Sequence, residues 1–123
     1  METTIKNLLL AAAGGALGSM GRYALTLLAV QLQIHTEWAT FAANVCGSFL
    51  IGLAVPGAGD ARTLFYTVGV CGGFTTLSTF SSQSLRLLHE GQYFWALLYM
   101  SGTVILSLAM VALGCWCRQR IQG

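Results

Sequence analysis

One run of small and hydroxyl-bearing residues, Cys71-Gly72-Gly73-Phe74-Thr75-Thr76-Leu77-Ser78-Thr79-Phe80-Ser81-Ser82-Gln83-Ser84, stands inside an otherwise apolar chain. Its chemistry is that of ion solvation. Two adjacent glycines and seven hydroxyls between Thr75 and Ser84 make a poor continuous helix, because glycine loosens the backbone and Ser and Thr offer it competing partners. An interruption there leaves carbonyls exposed before the break and N–H groups after it. The carbonyls suit a cation, whereas the N–H groups and hydroxyls suit an anion. Bonding of Ser and Thr back to their own helix accounts for some of these hydroxyls but not for all seven.

Three further polar clusters interrupt apolar stretches. Asn44, Gly47 and Ser48 share a helical face by their spacing, and Asn44 acts either as glue between helices or as an N–H donor to an anion that has shed its water. Tyr99, Thr103 and Ser107 recur every four residues and form a stripe along one helix. Gly14, Gly18 and Arg22 recur likewise, with Gly15 and Gly21 alongside. Glycines at this spacing let helices approach closely. Arg22 either snorkels to an interface or attracts anions into a vestibule. The ring of Phe80 has an electropositive edge that can meet an anion, although a buried Phe is more commonly packing.

The elements that hold these groups follow from composition. Of 123 residues 55% are hydrophobic and 8% charged, which places the chain in a membrane. Four spans of about 20 residues fill it as a single transmembrane domain, 1–123, and the apolar pattern predicts them at about 5–30, 38–55, 63–88 and 93–116. Gln31, Gln33, His35 and Glu37 mark one turn, and Pro56-Gly57-Ala58-Gly59-Asp60 is the clearest breaker. Tyr93, Trp95 and Trp116 bracket the last span as interfacial aromatics. The first span reads as retained, not as a cleaved signal. Lys6, Arg62, Arg118 and Arg120 on one side against Arg86 on the other lean towards termini inside the cell. The net charge of +2 forms no basic patch, which argues against nucleic acid. Cys46, Cys71, Cys115 and Cys117 have neither metal nor disulfide spacing, and His35 and His89 fall in loops without clustered partners, so no enzyme is expected.

At this point the chain resembles the CrcB/Fluc family of fluoride channels. Residues Gly72 to Ser81 match a third-helix pattern close to G-G-x-T-T-F-S-T-F-S except at Leu77, and Gly14 to Tyr23, Ala43 to Phe49, and Tyr99, Thr103 and Ser107 add support. The resemblance implies an all-α membrane protein with the third helix broken mid-membrane. It implies an antiparallel, dual-topology homodimer with two pores in a bacterial inner membrane, crossed several times by each chain. A structural Na+ at the dimer centre would be held by main-chain carbonyls of Gly72 and Thr75. Asn44 would stand at the pore entrance, Phe80 would face the fluoride ion, Ser78, Thr79, Tyr99, Thr103 and Ser107 would form a polar track, and Arg22 would draw the anion in. Leu77 replaces a phenylalanine and Gln83 a glutamate common in the family, departures expected to change rate or binding while function survives. Permeation would be passive, with fluoride driven outward by a negative-inside potential.

Two other classes compete. A small multidrug exporter is also a four-helix dimer, but its proton coupling needs a membrane-embedded carboxylate, and Glu2, Glu37, Asp60 and Glu90 read as ends or loops. A purely structural subunit explains the glycines of the first span and leaves the third unexplained.

Overall fold

The structure is a computed structural model that describes residues 2–54 and 61–122. All regular elements among these residues are helical. Helix α1 is Glu2–Gln31 and α2 is Thr36–Ala54. Helix α3, residues 61–74, begins as Ala61–Leu64, widens into π-helical Phe65–Cys71 and closes with Gly72–Phe74. Helix α4 is Ser78–His89 and α5 is Tyr93–Gln122. The Pro56–Asp60 breaker, Val55 at the expected end of the second span, and the side chain of Arg62 lie outside the described residues.

Helices α1 and α5 are each long and apolar enough to cross a membrane, and most of their apolar side chains point outward. Leu8, Leu9, Leu17, Phe94, Leu97 and Leu108 are all exposed. Lipid is the solvent that such a surface suits, and the molecule is a membrane protein. With no hydrophobic driving force between helices in lipid, close packing must hold them together, and glycine supplies it.

Two tight pairs result. In the first, α1 lies against α3: a Cβ on Gly69 would stand 2.8 Å from Gly14 Cα, and one on Gly73 would stand 2.5 Å from Gly15 O. Gly18 faces the backbone of Val70 and Phe74 in the same way. The glycines of the first span are therefore packing residues. In the second pair, α2 crosses α5 where Gly52 meets Gly114, each lacking room for a Cβ. Arg118 Nη1 donates to Leu53 O at 2.6 Å, taking up a carbonyl near the end of α2. That contact needs α5 to run past Trp116, which is why the helix outlasts its expected boundary by more than a turn.

Substitution should expose this asymmetry. Gly14→Val and Gly114→Val force backbones apart and should each cost about 1–3 kcal/mol, read as a lower Tm in detergent. Gly102→Ala has open space around its Cβ and should leave Tm unchanged.

Candidate functional site

The interruption of the third segment falls at Thr75-Thr76-Leu77, one step later than the glycines suggest. Gly72 and Gly73 are still helical, and Thr75 is the first extended residue, with φ −84° and ψ 158°. The glycines are there for the approach of α1; the threonines make the break. Thr75 bonds back to Cys71 O through both its N–H and its hydroxyl, each at 3.0 Å, which ends the helix.

What holds the break open is Asn44. Its Nδ2 donates to Thr76 O at 3.1 Å, and Thr76 N–H donates to its Oδ1 at 2.8 Å. The side-chain amide thus pairs with one peptide unit as a neighbouring strand would. A continuing helix would have returned that N–H to Gly72 O. Gly73 O accepts from Arg22 Nε at 3.3 Å, and Thr79 N–H goes to Thr76 Oγ1 at 3.3 Å instead of back to Thr75 O. The carbonyls of Gly72 and Thr75 have therefore both lost their ladder bonds, as a main-chain cation site requires. Arg22 reaches inward to the break and does not snorkel to an interface. Asn44 lies 8 residues from Thr36 and 10 from Ala54, so the break is level with the middle of α2, about 12 and 15 Å from its ends.

Beyond the break α4 restarts at Ser78, with Thr76 serving its first turn as a hydroxyl cap. Ser78, Ser81 and Ser82 are exposed in the single chain, while Ser84 bonds back to Phe80 O at 2.8 Å. Phe80 meets Tyr99 of α5 with ring centroids 5.2 Å apart and planes inclined by 50°. Along the same face of α5, Thr103 is buried and Ser107 half-buried, and the hydroxyl oxygens of both are buried with no hydrogen-bond partner among the described residues. Thr79 is half-buried beside Phe80 in the first turn of α4.

Several contributors were not legible as such. Gln83, read above only as a missing charge, accepts from Tyr99 OH at 2.7 Å and donates through Nε2 to Thr36 Oγ1 at 3.3 Å. Glu37, expected in a polar turn, is in the first turn of α2, buried and ion-paired with Arg86. Nothing in sequence spacing marks a pair 49 residues apart. Leu77 is 75% exposed, so the residue that departs from the family pattern points away from the core.

Comparison with known proteins bears on this geometry. The sequence profile of the family described as CrcB-like protein, Camphor Resistance (CrcB), matches residues 9–115, which takes in the break, Asn44 and the polar face of α5. The chain belongs to the CrcB-like family. A protein of Phocaeicola vulgatus named fluoride-specific ion channel FluC is 43% identical over 119 residues, covering 91% of this chain and 98% of its own. One of the same name from Thermus thermophilus is 48% identical over 113 residues, covering 86% and 90%, and one from Serratia proteamaculans is 34% identical over 122 residues, covering 91% and 96%. The family match thus runs from α1 into α5 and is not confined to the third-segment motif.

Removing the Asn44 amide leaves two backbone groups of Thr76 unpaired. Asn44→Ala should cost about 1–3 kcal/mol for each group so stranded, seen as a large drop in Tm. Ser48→Ala, whose hydroxyl only bonds back to Asn44 O at 2.6 Å within α2, should be close to neutral.

Proposed function

We propose that this protein is a passive fluoride channel, and that Asn44, Ser78, Thr79, Phe80, Tyr99, Thr103 and Ser107 line its path. The observation that carries the reading is the pair of buried, unpartnered hydroxyls of Thr103 and Ser107 on the face of α5 that also presents Tyr99. Buried polar groups are ordinarily satisfied. Donors left free in a row are available to an ion that must exchange its water for protein. Relatives that share most of the chain carry the name fluoride-specific ion channel.

Fluoride is small and strongly hydrated, so the path must supply oriented donors in quick succession. Arg22, with one N–H given to Gly73 O, retains donors and a charge near the break; Phe80 and Tyr99 offer ring edges and a phenol; Thr103 and Ser107 take over from them. No nucleophile or energy source is needed, and a negative-inside potential drives the anion out of a bacterial cell across the inner membrane.

The same reading extends to assembly. Two antiparallel copies would bring their breaks together about a two-fold axis, and Na+ would be held there by the carbonyls of Gly72 and Thr75 from each copy, both among the carbonyls that the break leaves without ladder bonds. If each chain spans the membrane several times, a break level with the middle of α2 would lie near the bilayer midplane. The exporter alternative loses ground, because Glu37, the buried carboxylate among the described residues, is in the first turn of α2 and engaged with Arg86.

Liposomes containing the purified protein should release fluoride and retain chloride, read by ion electrodes. Thr103→Val together with Ser107→Ala should slow release by at least tenfold while the assembly elutes unchanged on size exclusion. Phe80→Leu should also slow it, and Leu77→Phe should fold normally because the family pattern carries a phenylalanine at that position. Chloride release at the fluoride rate would sink the proposal.

A further inference from the structure

The hydrogen-bonded chain that leaves Tyr99 leads to a charged pair that the path described so far does not use. From Tyr99 OH it passes through Gln83 to Thr36 Oγ1, and the neighbour of Thr36 is Glu37, which accepts from Arg86 Nη2. Arg86 follows Gln83 by three residues on α4, so both lie on one face of that helix. The two partners are unequally placed: the Arg86 side chain is 51% exposed and the Glu37 side chain 11%. The guanidinium therefore keeps N–H donors turned outward while the carboxylate is drawn in behind it. A cavity of about 400 Å³ at this end is lined by Glu37 and Tyr99 together, along with Trp38, Phe41 and Trp95, so the carboxylate that holds Arg86 and the phenol share one wall.

We infer that Arg86 captures the anion at the mouth of the path nearest Thr36, and that Glu37 sets how tightly it is held. A lone guanidinium beside an apolar cavity would attract fluoride and retain it, since charges attract strongly where water is scarce. A guanidinium backed by a carboxylate keeps a positive outer end and a net charge of zero. The unpartnered Oε2 of Glu37 adds a repulsion on the inner side. Capture is then brief, and Gln83, whose Nε2 has a second hydrogen beyond the one given to Thr36, is next in line to receive the ion.

This inference rests on the fluoride-channel reading, and the two can fail separately. Wild-type liposomes that do not pass fluoride sink the channel reading. With wild-type flux established, the variants decide the role of Arg86. The double variant Arg86→Gln/Glu37→Gln removes both charges without stranding either, and should cut efflux at low fluoride by about fivefold while efflux at saturating fluoride stays within about twofold. Raising the ionic strength should slow the wild type at low fluoride more than it slows the double variant, a difference that a merely structural staple would not produce. Glu37→Gln alone should saturate at lower fluoride. An assembled double variant with wild-type efflux at low fluoride and wild-type dependence on ionic strength would overturn the inference. Should that variant not assemble, Arg86→Lys decides: charge is kept, so wild-type efflux at low fluoride is expected, and a fivefold fall would overturn it.

Discussion

Everything in this molecule depends on satisfying one interrupted stretch of backbone where water is scarce. A peptide unit at membrane depth cannot leave its N–H and C=O unpaired without a cost of several kcal/mol. Thr76 escapes that cost through the side-chain amide of Asn44, Gly73 O through Arg22, and the restarted helix through the hydroxyl of Thr76. Asn44 comes from α2 and Arg22 from α1, so both helices must be held in register with α3 before these two partners can reach the break. The glycine contacts do that. Gly14 on Gly69 and Gly15 on Gly73 set the depth at which Arg22 reaches α3, and Gly47, whose missing Cβ leaves room for Thr75 Cγ2, lets α2 come close enough for Asn44 to reach Thr76.

The same arrangement separates two kinds of polar surface. On the side where α3 ends, carbonyls without ladder partners accumulate, at Gly72 and Thr75. On the side where α4 begins, N–H groups and hydroxyls do, and the positive end of the helix dipole points at them. A cation and an anion would each find a surface of the right sign within one interruption. The π-helical Phe65–Cys71 belongs to this design too, since its wider turn carries Gly69 and Cys71 onto the buried side while leaving Tyr66 and Val68 outward.

Much of this could be read from the residues. The hydrophobic pattern placed the first, second and last helices to within a few residues at most ends, and the run from Cys71 to Ser84 announced an interruption. Its exact position within that run stayed open, because glycine signals both flexibility and close approach, and a sequence does not say which. At Gly72 and Gly73 the helix persists, and the approach of α1 is the reason for the glycine at 73. For Asn44 the two readings offered by spacing turn out not to exclude each other: the amide is committed to Thr76, yet one of its two N–H groups remains to be given. The partnership of Glu37 with Arg86, the reach of Arg118 to Leu53 O and the relay through Gln83 depend on which helices pack together. Periodicity along one helix carries no such information.

A single chain leaves this polar surface incomplete. Gly72, Ser78, Ser81 and Ser82 are exposed beside the break, and lipid can hydrogen-bond to none of them. Two carbonyls are also few for a hard cation, which gathers a fuller shell of oxygens. The exposed Leu77 lies between these polar groups, so the surface is neither a lipid-facing apolar face nor a water-facing polar one. A second copy related by a two-fold axis resolves both difficulties at once in the proposed dimer: it would cover hydroxyls with hydroxyls, double the carbonyls and place Leu77 against protein. Stability of the interrupted segment and completion of the ion path would then be the same event, which ties assembly to function more closely than helix packing alone could.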